Sequence, residues 1–179
     1  PISLVGKSAI GHVRYATAGS HGVENIQPLM VNFHDMQLAL AHNGNLTNAM
    51  SLREQLEEDG SIFQSSSDSE ILLHLIRRSK ATTFVDKLKE SLNTVKGGFA
   101  YLLLTPEGLY AALDPHAFRP FVVGQMPEGN YIVTSETAAL DVIGARFVRD
   151  VQPGELLIIN DDGLTIDTYT DKPTLNIDA

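Results

Sequence analysis

The apolar residues of this 179-residue chain keep two different periods. Between Ala49 and Val95 they recur at steps of three and four, as one buried helix face demands. After Phe99 they alternate or run together in short blocks, as strands do. Three helices are predicted in the first block. Thr47 or Asn48 can cap one whose Ala49, Leu52 and Leu56 share a face before Gly60 stops it. Ser67 and Glu70 form a capping box for a second, with Ile71, Leu72, Leu75 and Ile76 as its buried stripe. The third starts near Thr82 or Thr83 and has Asp86 in its first turn. It buries Val85, Leu88, Leu92 and Val95 and is ended by Gly97-Gly98.

Strands are predicted on both sides of this block. Ala9 to Val13 reads as one, followed by a Gly-, Ser- and Asn-rich loop from Ala18 to Pro28. Met36 to His42 is mostly apolar, like a strand buried on both faces, and Asn43-Gly44-Asn45 is expected to end it in a tight turn. Phe99 to Leu104 and Leu109 to Leu113 form a hairpin through Pro106-Glu107-Gly108. Phe121 to Val123 and Tyr131 to Thr134 make another pair, and a short helix covers Glu136 to Ile143. Leu156 to Ile159 and Leu164 to Ile166 flank a second hairpin signal, Asn160-Asp161-Asp162-Gly163. The expected class is α+β, with antiparallel sheets covered by helices. No repeat or internal break divides the chain. Residues 1–170 read as one domain, and 171–179 lack periodicity and read as a tail or the start of a linker.

Composition narrows the function classes. A chain of this size buries about 70% of the surface it exposes when unfolded, enough for one full core. It is 43% hydrophobic and 20% charged, which is ordinary globular usage. The formal charge of −9, from 22 acidic against 13 basic residues, would repel a phosphate backbone, so no nucleic-acid partner is expected. There is no cysteine, which removes a disulfide framework and suits a cytoplasmic setting. No apolar run approaches the ~20 residues that cross a bilayer, so no membrane partner is expected. Gly6-Lys7-Ser8 lacks the glycine-rich loop of a phosphate-binding motif. The six histidines show no metal-ligand spacing, so no metal is expected in this chain.

The chemistry lies in separated polar motifs. Gly11-His12-Val13-Arg14-Tyr15-Ala16-Thr17, His42-Asn43-Gly44 and Ser66-Ser67-Asp68-Ser69-Glu70 occur in that order. Supporting them are Asn25-Ile26-Gln27-Pro28, Asp114-Pro115 through Arg119-Pro120, Thr134-Ser135-Glu136-Thr137, and Arg149-Asp150-Val151 through Pro153-Gly154-Glu155. Together they resemble the glutaminase domain of the N-terminal-nucleophile (class II) glutamine amidotransferases, over about Gly6 to Ile159. The resemblance implies an N-terminal-nucleophile hydrolase-like fold of stacked, mostly antiparallel sheets between helix layers, αββα. It implies that Arg14 holds the α-carboxylate of glutamine, a bidentate task suited to a guanidinium fork, with Thr17 in support. It gives Asp68 the α-ammonium. Asn43 through its side-chain amide and Gly44 through its main-chain N–H become the oxyanion hole.

Each residue also has an ordinary reading. Arg14 can end a strand in a salt bridge, and the Thr17 hydroxyl can satisfy a turn. Asn-Gly is a common tight-turn pair. Asp68 in a first helical turn favours the helix dipole by roughly 0.3–1 kcal/mol. His42 is taken as structural.

One part of the pattern is missing. The family's nucleophile is an N-terminal cysteine, its own α-amine serving as base; here the first residue is Pro1 and no thiol exists. The resemblance therefore implies an N-terminally truncated domain without glutaminase activity of its own. Ala117 stands where the family usually has glycine in Asp-Pro-x-Gly-x-Arg-Pro. The motif details favour the branch of the family that starts purine synthesis, moving ammonia to phosphoribosyl diphosphate to give 5-phosphoribosylamine. In that branch magnesium and phosphoribosyl diphosphate belong to a second, C-terminal phosphoribosyltransferase domain, and the parent is expected to be a homo-oligomer. Two alternatives stay open: the glutaminase domain of another amidotransferase, such as a sugar-phosphate enzyme, and a non-catalytic glutamine-binding or scaffold domain.

Overall fold

The computed structural model describes residues 6–12, 26–33, 36–116 and 120–170. Nine strands and four helices are defined among them. They run in the order β1 (Leu29–Phe33), β2 (Met36–Leu46), α1 (Ala49–Glu58), α2 (Ser69–Arg78), α3 (Phe84–Thr94), β3 (Gly97–Thr105) and β4 (Gly108–Leu113). After these come β5 (Val122–Gln125), β6 (Tyr131–Thr134), α4 (Thr137–Ile143), β7 (Arg146–Asp150), β8 (Glu155–Asn160) and β9 (Gly163–Thr168).

Two antiparallel sheets result: six strands in the order β1-β2-β3-β4-β8-β9, and three in the order β6-β5-β7. Alternation along the strands sorts their side chains into layers. Leu38, Leu40, Phe99, Tyr101 and Leu103 meet Ile71, Leu72, Ile76, Leu88 and Leu92 of α2 and α3, forming the larger core. The intervening positions Ala100, Ala111, Leu113 and Leu157 face the small sheet through Phe121, Val123 and Val151. On the far side of that sheet Val122 packs with Leu140 and Ala145. The layers run helix, sheet, sheet, helix, which is the expected α+β architecture.

The small sheet is an excursion of the chain between β4 and β8. The Gly154 N–H donates to the carbonyls of Leu113 (3.2 Å) and Asp114 (3.3 Å), so the two ends of the excursion touch. Asp114 is fully buried at this neck, and its carboxylate accepts the amides of Phe99 (3.2 Å) and His116 (2.8 Å).

Several local expectations need correction. Asn43-Gly44-Asn45 is not a turn: β2 runs on to Leu46, with Asn43 opposite Ala100 and Gly44 opposite Phe99. A glycine is needed there because β3 presses against it. A Cβ on Gly44 would lie 2.1 Å from the Gly98 carbonyl oxygen, at a φ of +141°. Gly97, at φ +119°, is constrained reciprocally by the Asn45 oxygen at 2.3 Å. Gly97 and Gly98 therefore open β3 rather than merely closing α3. Residues 9–12 form no strand, and Val13 lies outside the described residues. Strands β1 and β7 had no clear pattern in sequence. The first is a five-residue edge strand with Met30 exposed, and the second, Arg-Phe-Val-Arg-Asp, has three charged residues in five and lacks clean alternation.

Candidate functional site

Thr83 caps α3 as its sequence suggests, its hydroxyl accepting the Asp86 amide at 3.1 Å. The start of α2 is built differently from the Ser67/Glu70 capping box. Asp68 occupies the N-cap position, yet its side chain makes no capping hydrogen bond. The first-turn amides find other acceptors. Ser69 N donates to Ser67 Oγ (3.2 Å), Glu70 N to the Ser67 carbonyl (3.3 Å), and Ile71 N to the Asp68 carbonyl (3.1 Å). Capping is complete without the carboxylate that an N-cap aspartate ordinarily contributes. Asp68 itself is half-buried.

Glu70 does not return to Ser67 as a capping box requires. Its buried carboxylate accepts Gln64 N (2.8 Å), Ser65 N (2.8 Å), Ser65 Oγ (2.6 Å) and His74 Nε2 (3.1 Å). Burial pushes this carboxyl upward. The bonds from the Ser65 hydroxyl, the Gln64 amide, His74 and the Ser65 amide outweigh that effect and hold it below its ordinary value.

The loop and helix start are tied to β2. Ser69 Oγ lies 3.2 Å from His42 Nδ1 across 27 positions of sequence. His42 is buried and stacks on Tyr101, with ring centroids 4.5 Å apart and planes 18° apart. Its main-chain N–H donates to Gln27 Oε1 at 2.6 Å. Counting on from the Leu29–Leu40 pair places Gln27 opposite His42, so this side chain carries the ladder past Pro28, which precedes β1. Tyr101 is fully buried, and its hydroxyl has no hydrogen-bond partner among the described residues. Burial drives the phenol far upward, and the nearby charge of Asp68 adds to the shift.

Of the five residues read from the sequence, the structure therefore relates three. Asp68 precedes Ser69, Asn43 follows His42, and the Ser69–His42 hydrogen bond draws the two motifs together. Asn43 stands on the sheet face opposite His42 by strand alternation, and both Asn43 and Gly44 are partly exposed. Arg14 and Thr17 lie outside the described residues. Sequence reading left His42 structural and gave Ser65, Ser69 and Glu70 no site role. The Ser67/Glu70 signature was the available clue, pointing to the right helix end but the wrong bond.

A cavity of about 470 Å³ opens elsewhere, among Leu92, Lys96, Gly97, His116 and Tyr169, and includes none of these site residues. Among the described residues no group of three or more His, Asp or Glu side chains is arranged to hold a metal ion. No helix among them is long and apolar enough to cross a membrane.

Comparison with known proteins identifies the family. Residues 12–142 match the family model described as a glutamine amidotransferase domain. Over 171 residues the chain is 58% identical to an amidophosphoribosyltransferase of Staphylococcus aureus (strain MRSA252), covering 96% of this chain and 35% of that protein. It is 53% identical over 166 residues to the Bacillus subtilis (strain 168) amidophosphoribosyltransferase, covering 92% and 35%. The solved glutamine phosphoribosylpyrophosphate amidotransferase of B. subtilis, complexed with ADP and GMP, superposes with a TM-score of 0.85 at 50% identity, over 90% of this chain and 35% of that one. This chain thus spans about a third of the length of these relatives. It belongs to the glutamine amidotransferase domain family, as a class II, N-terminal-nucleophile-type member closely related to amidophosphoribosyltransferase.

Proposed function

We propose that this chain carries the glutamine-reading part of a glutaminase domain. Asp68 accepts the α-ammonium, Arg14 grips the α-carboxylate with Thr17 in support, and Asn43 with the Gly44 main-chain N–H faces the side-chain carbonyl as it becomes an oxyanion. The observation that carries this reading is the Asp68 carboxylate, seated at a helix start whose amides are capped by other groups. A helix that does not need its N-cap carboxylate leaves that charge for a cation. An amino-acid zwitterion needs one anion and one cation near each other, and Arg14 supplies the second. A donor aimed at an oxyanion stabilises the transition state by about 3–4 kcal/mol and has little effect on the bound ground state.

The chain has no cysteine, so we assign it binding rather than hydrolysis. In the parent enzyme, glutamine hydrolysis would supply ammonia to phosphoribosyl diphosphate, giving 5-phosphoribosylamine. Identities of 58% and 53% to amidophosphoribosyltransferases support this acceptor over a sugar phosphate. On this reading residues 1–170 are part of the glutaminase unit, and magnesium and phosphoribosyl diphosphate belong to the phosphoribosyltransferase domain.

Calorimetric titration with glutamine tests the assignment. Asp68→Asn should weaken binding about tenfold or more, equivalent to at least about 1.4 kcal/mol. Asn43→Ala should stay within about twofold of the unsubstituted chain, because its donor acts on the transition state. Unchanged affinity in Asp68→Asn would remove Asp68 from the site.

A further inference from the structure

Asp68 can select an ammonium only while its carboxylate is held at one place, and its own side chain makes no capping bond that would hold it. The holding is done by its neighbours. Glu70 Oε2 accepts the Ser65 hydroxyl at 2.6 Å, and Ser65 Oγ in turn accepts the Ser67 amide at 3.3 Å. Ser67 Oγ accepts the Ser69 amide at 3.2 Å, and Ser69 Oγ reaches His42 at 3.2 Å. Asp68 lies in the middle of this relay, flanked on both sides by residues whose amides are tied down. The anchor is Glu70, which also takes the Gln64 and Ser65 amides and so folds the loop back against the first turn of α2. Arg53 clamps the same loop from outside by donating to the Ser65 carbonyl at 2.6 Å.

The placement of Glu70 has a chemical consequence beyond capping. A capping-box glutamate, three residues after the N-cap, would take the amide of the N-cap residue itself, whereas Glu70 stands two residues after the N-cap Asp68. Here it takes the amides of residues 64 and 65 instead, while Ser67 caps the first turn and the Asp68 carboxylate makes no capping bond. We propose that Glu70 is a positioning residue that sets selectivity for the α-ammonium of an amino-acid ligand at Asp68. This inference rests on the reading of Asp68 given above.

The test compares glutamine with 4-carbamoylbutanoate, the same molecule without its α-ammonium, in calorimetric titrations of the full chain. Amide hydrogen exchange at Ser67 and Ser69 is followed in parallel. Asp68→Asn reports on the underlying reading and should abolish the preference for glutamine. Glu70→Ala should lower that preference about tenfold, leave affinity for the des-amino analogue within about twofold, and speed exchange at both serine amides. Glu70→Gln, which keeps one acceptor oxygen and puts a donor NH2 in place of the other, should fall between. It also carries the test, together with Ser65→Ala, if Glu70→Ala does not fold. A merely structural Glu70 would weaken both ligands alike, and that result overturns the proposal. So does an unchanged preference in the Glu70 variants while Asp68→Asn still abolishes it. If Asp68→Asn keeps the preference, or the unsubstituted chain shows none, the reading of Asp68 falls and takes this inference with it.

Discussion

The Asn43–Gly44 segment and the Asp68 turn meet through one hydrogen bond, yet they are held by opposite means. The first is fixed by main chain. Gly44 sits within a ladder of paired residues, with the Gly98 carbonyl occupying the space a side chain would need. The second is fixed by side chains, a serine relay anchored on one buried carboxylate. Backbone packing sets a position that tolerates no added atom. A side-chain relay sets one that can be loosened stepwise and that depends on protonation. On the proposed roles, such a site should have a rigid end at the oxyanion and an adjustable end at the ligand's ammonium.

The contrast breaks most directly at Gly44. Gly44→Ala places a Cβ against main chain in a conformation that L residues rarely adopt, and should destabilise the fold by about 3 kcal/mol or more in urea denaturation. A loss below about 1 kcal/mol would mean that β3 yields and that the first end is not rigid. Glu70→Ala comes next, at about 2–3 kcal/mol, because it strands several buried donors; Glu70→Gln should cost about 1 kcal/mol.

Acidification sharpens the same point. The folded-state pKa of Glu70 is depressed below its ordinary value of 4.5. Its contribution is therefore present above the unfolded value and is lost as pH falls through the folded one. The stability gap between the unsubstituted chain and Glu70→Gln should be full near about pH 6 and close on titration below about pH 4.5. A gap independent of pH would show that the ionised carboxylate is not what anchors the loop. The smallest effect belongs outside both ends. Thr83→Ala removes the α3 cap at a cost of about 1 kcal/mol and should leave glutamine affinity untouched.

What could be read from the sequence divides along the same line. Helices α1 to α3 were visible because their apolar spacing and their Thr83 and Gly60 boundaries are local. The β3–β4 and β8–β9 hairpins were visible because turn chemistry is local too. Asn43-Gly44 looked like a turn because the residue pair is the same, and only the distant Gly97-Gly98 reveals that the chain runs straight on. Strand β7 gains its partner from β5, more than twenty positions earlier, and a charged five-residue strand carries little pattern by itself. Asp68 can be proposed from its motif. The Ser69–His42 link that relates it to Asn43 joins residues 27 apart and could not be named.

The neck at Leu113 and Gly154 bears on how such a molecule is assembled and altered. Chain closure costs entropy that grows only slowly with the length enclosed, by about 0.6 kcal/mol for each doubling. Because the small sheet leaves and rejoins the large one at touching points, its length is nearly decoupled from the pairing of β4 with β8. During synthesis the helical block and β2–β4 can come together while the excursion is still emerging, with β8 and β9 added last to an open edge. Insertions or deletions within the excursion should therefore be tolerated more readily than changes of a single residue at the crossing of β2 and β3.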